Sequence, residues 1–441
     1  MKKLLSLIIA CVCIGLLSCT KENSSPIETS VPASSISAKF AQEWMQTAYK
    51  AVRNQRIFAL EASRVYAYTA VALYQSMVHG MPNHRSLEGQ LEGLNNLPQP
   101  DGTLVYNWAL VMNTCGAEVL EKTFASASVS TQNIIWNFAQ QQREEIIRTY
   151  VINQDIEKAS VNFGRALAAA ILQWAEEDRS QTIGSLPYTM PGVHDHPEYY
   201  DGNGSGDPFF MMPFWWTSRP FAISSHRVCL PDPPYPYSED PNSPYYKDVL
   251  EVYESVKDPA KLLIGQYWAN NPGESGTPAG SWVGIANQLV DQFKLDMAET
   301  LDMYVYLTLS TRDAFIAVWY TKYKWNLQRP VSFIRKVMND PLWHSPVPTP
   351  PYPDYVSGTS ANAGSSSEIL TSLFGPRSFS DNQHADKNFQ LRKYSNFKQA
   401  GVEAYHSRIF AGVHMRKACS EGFSLGECVA RTVMDKVKLV R

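Results

Sequence analysis

Apolar residues in this chain recur at intervals of three and four, and sustained alternation is missing. In the run 58–79 the pattern is carried by Val65, Tyr68, Val71, Ala72 and Met77, which fall along one stripe of an α-helix. The runs 39–53, 104–124, 131–151 and 156–177 are likewise rich in Ala, Leu, Glu and Gln, with Gly80, Pro82 and the Pro98–Gly102 stretch between them. The signal returns over 248–256, 260–269, 281–293, 295–310, 311–327, 360–374, 391–404 and 415–438. With few β-branched clusters and no repeat of 20–50 residues, these runs predict an all-α fold, a helical bundle. A chain of 441 residues buries a large core. We read 39–441 as one domain, with N-terminal helices over 39–178, a loop-rich segment over 179–247, and a second set of helices over 248–441.

Between 180 and 247 the periodicity stops and Pro, Gly, Tyr, Trp and Asp crowd in. A loop this long inside a compact domain usually carries function. Trp215-Trp216 with Arg219-Pro220-Phe221 either wall a cleft or pack into the core. The stretch Asp201-Gly-Asn203-Gly-Ser205-Gly206-Asp207 matches the first half of a calcium loop. The twelfth position, where a glutamate would close the site, is Met212, so 201–207 reads as a turn and not a calcium site. His194 and His196 flank Asp195, as metal ligands do, although a solvated loop explains the same pattern.

Residues 1–18 have the form of an export leader: Lys2 and Lys3, then an apolar run from Leu4 to Leu17 that is too short for a membrane-spanning helix. It ends in Leu16-Leu17-Ser18-Cys19, which resembles the lipobox of bacterial lipoproteins. That implies cleavage before Cys19, a lipid on its thiol, and an exported protein held to a membrane at Cys19 only. Residues 19–38, rich in Ser, Pro and Thr, form a flexible tether. Outside the leader and Cys19 stand Cys115, Cys229, Cys419 and Cys428. An exported chain can oxidise such thiols, and Cys419 with Cys428 is the nearest pair in sequence. A net charge of −3 gives no general surface for nucleic acid. An anionic ligand would need a local cluster of cations.

Such a cluster is visible between 313 and 414. Lys322 and Arg329 stand seven residues apart, close to two helical turns, and Pro330 places Arg329 at a helix end. By themselves they fit a solvated basic face equally well. Ser357-Gly358-Thr359 follows a Pro-rich loop and opens the helical run 360–374. A Ser-Gly turn there aims free N–H groups and a hydroxyl at one point, which suits an anion as well as simple capping. Arg408 and His414 are six apart, and Gly412 between them breaks the helix so that both can reach one centre.

In order, the segments read Lys322-x6-Arg329-Pro330, Ser357-Gly358-Thr359, and Ser407-Arg408-x5-His414. This resembles the signature of the vanadium-dependent haloperoxidases and the type 2 phosphatidic acid phosphatases, which share an oxyanion site. Asp313-Ala314, Trp319-x2-Lys322-Tyr323, Arg329-Pro330-Val331 and Tyr352-Pro353 resemble the haloperoxidase branch. The resemblance implies that Lys322, Arg329 and Arg408, with Ser357 and the Gly358 N–H, hold the oxygens of vanadate or phosphate. His414 would stand behind the anion, as axial ligand to vanadium in a peroxidase or as nucleophile in a phosphatase. Trp319 and Tyr352 would wall the pocket, and Asp313 would orient a cation from behind. The partners implied are hydrogen peroxide and a halide, or a phosphate ester.

The chain departs from the family pattern at two positions. The acid–base histidine that follows Ser-Gly in the family is Thr359, which hydrogen-bonds but exchanges no proton near neutral pH. The Asp found four residues after the axial histidine in the phosphatases is Ala418. His406 is a conceivable substitute, though it points along a different direction from Ser407. Three readings follow: a vanadate-dependent haloperoxidase favouring bromide or iodide over chloride, a phosphomonoesterase working through His414, and an oxyanion-binding protein without turnover. Oligomeric state is not encoded in any of these motifs, and an oligomer is compatible with all of them.

Overall fold

The computed structural model describes residues 29–184, 186–190, 195–203 and 209–441. The leader, Cys19, the start of the tether, His194 and residues 204–207 of the Gly-rich turn lie outside the described residues. Five helices form the first half: α1 (Lys39–Gln55), α2 (Ala59–Met77), α3 (Trp108–Thr123), α4 (Val129–Thr149) and α5 (Gln154–Glu176). The short α6 (Ser180–Ile183) opens the middle segment. Beyond it come α7 (Pro244–Ser255), α8 (Pro259–Tyr267), α9 (Thr277–Phe293), α10 (Met297–Trp325), α11 (Pro330–Lys336) and α12 (Gly358–Phe374). The chain closes with α13 (Phe397–Phe410) and α14 (Arg416–Lys436). Two three-residue strands, β1 (Phe379–Asp381) and β2 (Arg392–Tyr394), pair antiparallel before α13.

Local chemistry sets the boundaries. Asn107, Ser128, Asn153, Ser243 and Asp258 each accept a first-turn N–H at a helix start. Asp296 and Glu299 form a reciprocal capping box, which starts α10. The runs 295–310 and 311–327 are therefore one helix of 29 residues, since nothing between them breaks it. It stops at Trp325 because Asn326 turns left-handed at φ 47°.

One contiguous apolar core runs from Ala33 to Leu439, with Trp44, Trp268, Trp282 and Trp319 among its fully buried side chains. Trp215 and Phe221 join it, Phe221 packing on Tyr68 and Trp174, while Trp216 is half-buried against His226 and Tyr320. No described helix is long and apolar enough to cross a membrane.

Helices α12 and α14 cross closely because glycine stands at the contacts. A Cβ on Gly426 would sit 1.9 Å from the Ala361 carbonyl oxygen, and one on Gly364 would sit 2.1 Å from that of Phe423. That approach lets the Ser357 N–H donate to the Ala418 carbonyl at 2.9 Å, fixing the start of α12 beside α14.

The disulfide corrects the cysteine reading. Cys229 pairs with Cys428 across 199 residues, pinning the middle segment to α14, and Cys419 is a free buried thiol. Cys419 and Cys428 share α14 nine residues apart, about 13 Å along its axis, too far for a bridge.

Candidate active site

Four segments converge on one buried point. Lys322 sits in the last turn of α10; Arg329 is the N-cap of α11, past the end of α10, and not on the face of a continuing helix. Ser357 caps α12, and Arg408 ends α13. His414 follows Gly412, whose φ of 79° turns the chain between α13 and α14 as the spacing predicts. Lys322, Arg329 and Ser357 are fully buried, and Arg408 and His414 nearly so.

Arg329 Nη1 lies 3.0 Å from His414 Nε2 and donates to the Val413 carbonyl at 2.7 Å, while its Nε donates to the Tyr352 carbonyl at 2.8 Å. Lys322 Nζ donates to the carbonyls of Pro353 and Asp354, at 2.7 and 3.0 Å. Both cations lie over the Tyr352 ring, each 4.9 Å from its centroid, and the Trp319 ring packs on the same ring with centroids 5.0 Å apart. Ser357 Oγ accepts from the Ser360 N–H and hydroxyl, keeping its own proton to donate. Gly358 and Thr359 open α12, so their N–H groups have no partner within the helix.

Asp354 is a member of the site that the sequence motifs did not single out. It is fully buried, its Oδ1 2.8 Å from His414 Nδ1 and 3.7 Å from Arg329 Nη1. Arg329 Nη1 is within reach of both ring nitrogens, 3.0 Å from Nε2 and 3.3 Å from Nδ1. A carboxylate beside Nδ1 favours the tautomer that carries its proton there. Burial, and then the charges of Arg329, Lys322 and Arg408, hold the imidazole well below its usual range, so it stays neutral. Burial pushes the Asp354 carboxyl up to about 7 against the pull of Arg329 and Lys322. Burial also lowers Lys322, with Arg329 adding to the effect. These are cations crowded together with too little negative charge, which an incoming anion relieves.

The donor set fits such an anion on independent grounds. Arg329 Nη2 and Arg408 Nε are buried and make no hydrogen bond, and unpaired charged donors in a dry interior are costly. Arg408 Nη1 donates to the Trp268 carbonyl at 3.5 Å. Arg408, His414 and Thr359 lie on the wall of a cavity of about 190 Å³, whose remaining lining, Trp319 and Tyr352 included, is mainly apolar. Lys322 and Arg329 stand behind it.

Two expectations are corrected. Asp313 orients no site cation: its carboxylate accepts the N–H groups of Phe221, Ala222 and Ile223 at 2.8, 2.7 and 2.9 Å. Nine residues along a helix rotate a side chain by about 180°, so Asp313 faces away from Lys322. His406 bonds Arg416 at 3.1 Å and lies against Phe410, outside the site. In the Gly-rich turn, Asp201 takes Ser332 Oγ at 2.6 Å and Lys336 Nζ at 2.7 Å, which docks the turn on α11. Among the described residues no group of three or more His, Cys, Asp or Glu is placed to hold a metal ion, and His196 pairs with Glu198 at 3.1 Å.

Residues 302–441 match the family model described as the VCPO second helical-bundle domain. A crystal structure titled as the first bacterial vanadium-dependent iodoperoxidase superposes with a TM-score of 0.83 at 27% identity, covering 93% of this chain and 99% of that one. A bacterial vanadium-dependent chloroperoxidase matches in its holo form with a TM-score of 0.62 at 13% identity, over 87% of this chain and 93% of that one. Its apo form gives 0.61 at 13%, over 87% and 96%; at this identity the likeness is one of fold. No curated protein matches the chain.

Proposed function

This chain belongs to the vanadium haloperoxidase superfamily, and on that premise we propose that it is a vanadate-dependent peroxidase that oxidises halide with hydrogen peroxide. The observation that carries the reading is the pair of unpartnered buried donors, Arg329 Nη2 and Arg408 Nε, beside the His414 imidazole. Lys322, Arg329 and Arg408 would hold the oxygens of vanadate, with Ser357 Oγ and the Gly358 N–H donating alongside. His414 would bind it through its imidazole, with Asp354 beside the ring. Vanadate, once bound, supplies the Lewis-acid centre at which peroxide becomes an oxidant for halide.

The protein's own part is to neutralise and orient that anion and to exclude water. Every charged donor here is buried, which strengthens its hold on charge in a low-dielectric site. The net reaction is peroxide, halide and one proton going to hypohalous acid and water. Thr359, in the first turn of α12, hydrogen-bonds at the cavity wall but delivers no proton, whereas a positioned acid–base group is worth ~10²–10⁴-fold. That loss weighs most on chloride, the halide hardest to oxidise. An apolar cavity also favours the weakly hydrated halides, so iodide and bromide are the substrates. Lipidation at Cys19 would hold the enzyme to a membrane on its exported side.

Asp354 supports a second reading, phosphate-ester hydrolysis through His414, because it supplies the histidine-orienting carboxylate missing at Ala418. That reading still lacks a group to protonate the leaving alcohol. Purified protein loaded with orthovanadate should oxidise iodide and bromide with peroxide and leave phosphate esters intact. Ester hydrolysis without vanadate would favour the second reading. Oxyanion binding with neither turnover would leave an anion-binding protein.

A further inference from the structure

The N-terminal helices have two ends that hold different things. At one end, just ahead of α1, Ser30 Oγ accepts the Tyr106 N–H at 2.9 Å. There α4 finishes at Tyr150, whose hydroxyl meets the Ser37 backbone. At the other end α1 stops at Gln55, whose side-chain carbonyl accepts the Ser128 N–H and the Thr131 hydroxyl where α4 begins, both at 3.0 Å. Helices α1 and α4 are therefore antiparallel, and the 17 residues of α1 set the two ends about 25 Å apart. Phe58, just past the far end, lines the cavity of the oxyanion site.

The near end exposes aliphatic side chains in one corner. Val151 is 92% exposed, Leu104 48% and Ile147 40%. Ile147 and Val151 flank the close of α4, and a surface groove lined by Leu104, Val105, Asn153 and Ile156 joins Leu104 to them. The exposed charges around the corner are mixed, Arg148 and Lys158 against Glu144 and Asp155, so attraction to anionic lipid is weak there. Phe58 and Val129 are exposed at the far end too, so exposure alone does not distinguish the ends. The anchor does. Ser30 stands eleven residues after Cys19, at most about 40 Å of fully extended chain. Bringing the far end to a bilayer uses most of that reach, whereas the near end meets it with the tether slack. A contact too weak to hold alone suffices there, because the tether keeps it at high effective concentration.

We propose that Leu104, Ile147 and Val151 form a membrane-docking face, which seats this end of the protein on the lipid surface that holds Cys19. This rests on the lipid-anchor reading of Cys19. The three side chains enter the boundary between headgroups and acyl chains, an apolar contact that needs no anionic lipid. The oxyanion cavity then lies at the opposite end, about 25 Å further from the bilayer along α1, and draws its substrates from water.

Seating is tested on phosphatidylcholine vesicles that carry a nickel-chelating lipid, with residues 20–441 held by a hexahistidine tag in place of Cys19. Val151→Cys supplies the accessible thiol for a fluorophore, since Cys115 and Cys419 are buried and Cys229 is bonded to Cys428. Nitroxide-bearing lipids should quench the label at 151 and leave the same label on Val129→Cys, at the far end, unquenched. Adding Leu104→Asp and Ile147→Asp should lower the docked fraction at 151 by roughly 10-fold per side chain, the worth of burying an aliphatic group. Equal quenching at the two positions, stronger quenching at 129, or quenching at 151 that survives both aspartates overturns the proposal. The mass of the full chain purified from bacterial membranes reports lipid on Cys19 separately. If Cys19 carries lipid and 151 is not quenched, the docking face alone fails; if 151 is quenched and Cys19 carries none, the anchor reading alone fails.

Discussion

Replacing Asp354 by Asn should change which anion the site prefers, and the structure gives the sign of each contribution. The carboxylate is fully buried, 2.8 Å from His414 Nδ1 and 3.7 Å from Arg329 Nη1. It therefore repels any anion drawn in by the three cations. At an effective dielectric of about 20 and a separation of about 7 Å, that repulsion is ~2 kcal/mol, or roughly 30-fold in affinity. An anion held only by charge and hydrogen bonds, such as phosphate, should bind the variant more tightly by up to this amount. Vanadate depends in addition on Nε2 presenting its lone pair, and losing a partner that orients a metal-ligating histidine typically costs 10–100-fold. The affinity ratio of vanadate to phosphate should fall by that 10–100-fold in Asp354→Asn, whatever the absolute values do. Competitive calorimetry of the two anions at pH 8, above the pKa of about 7 of the carboxyl, reads the ratio directly. If both anions shift by the same factor, Asp354 acts as a charge alone and the orienting role is wrong.

Four further outcomes are expected. Thr359→His should raise the iodide or bromide oxidation rate, up to the ~10²-fold that begins the acid–base range; steady-state rates with vanadate saturating would reveal no gain if position 359 faces elsewhere. Gly426→Ala sets a Cβ 1.9 Å from the Ala361 carbonyl oxygen and should destabilise the protein by about 3 kcal/mol or more, seen in chemical denaturation. Cys229→Ser, which opens a 199-residue loop, should cost about 2–4 kcal/mol, and a reducing agent should lower the wild type's melting temperature but not the variant's. Asp248 is raised by burial to about 6, so its ionisation costs up to ~3 kcal/mol, a penalty absent below about pH 4 and complete above about pH 6. Asp248→Asn should accordingly be the more stable protein at pH 7, with the advantage vanishing at pH 4.

The helices were legible because their signals are local: periodicity, Asx and Ser caps, prolines at first turns. Arg408 and His414 were legible because Gly412 stands between them, and Ser357 because it precedes a glycine at a helix start. Asp354 was not, although it sits three residues before Ser357. A lone acid in a Pro/Tyr-rich stretch becomes informative only when the buried cations Arg329 and Lys322 are known to stand beside it. Asp313 is near Lys322 in sequence, but nine residues of helix set it half a turn away, on the opposite face. The cysteine pairing failed similarly, since closeness along one helix keeps two thiols apart.

Lys322 spends two of its hydrogens on the Pro353 and Asp354 carbonyls, while Asp313, on the far side of the same helix, grips three amides of the middle segment. The 29-residue shaft is thus bolted on opposite sides, unable to roll without tearing out one set of fastenings. An oxyanion arriving here meets a mould already set, so its capture should leave the backbone where it lies and be governed by how fast the anion sheds its water.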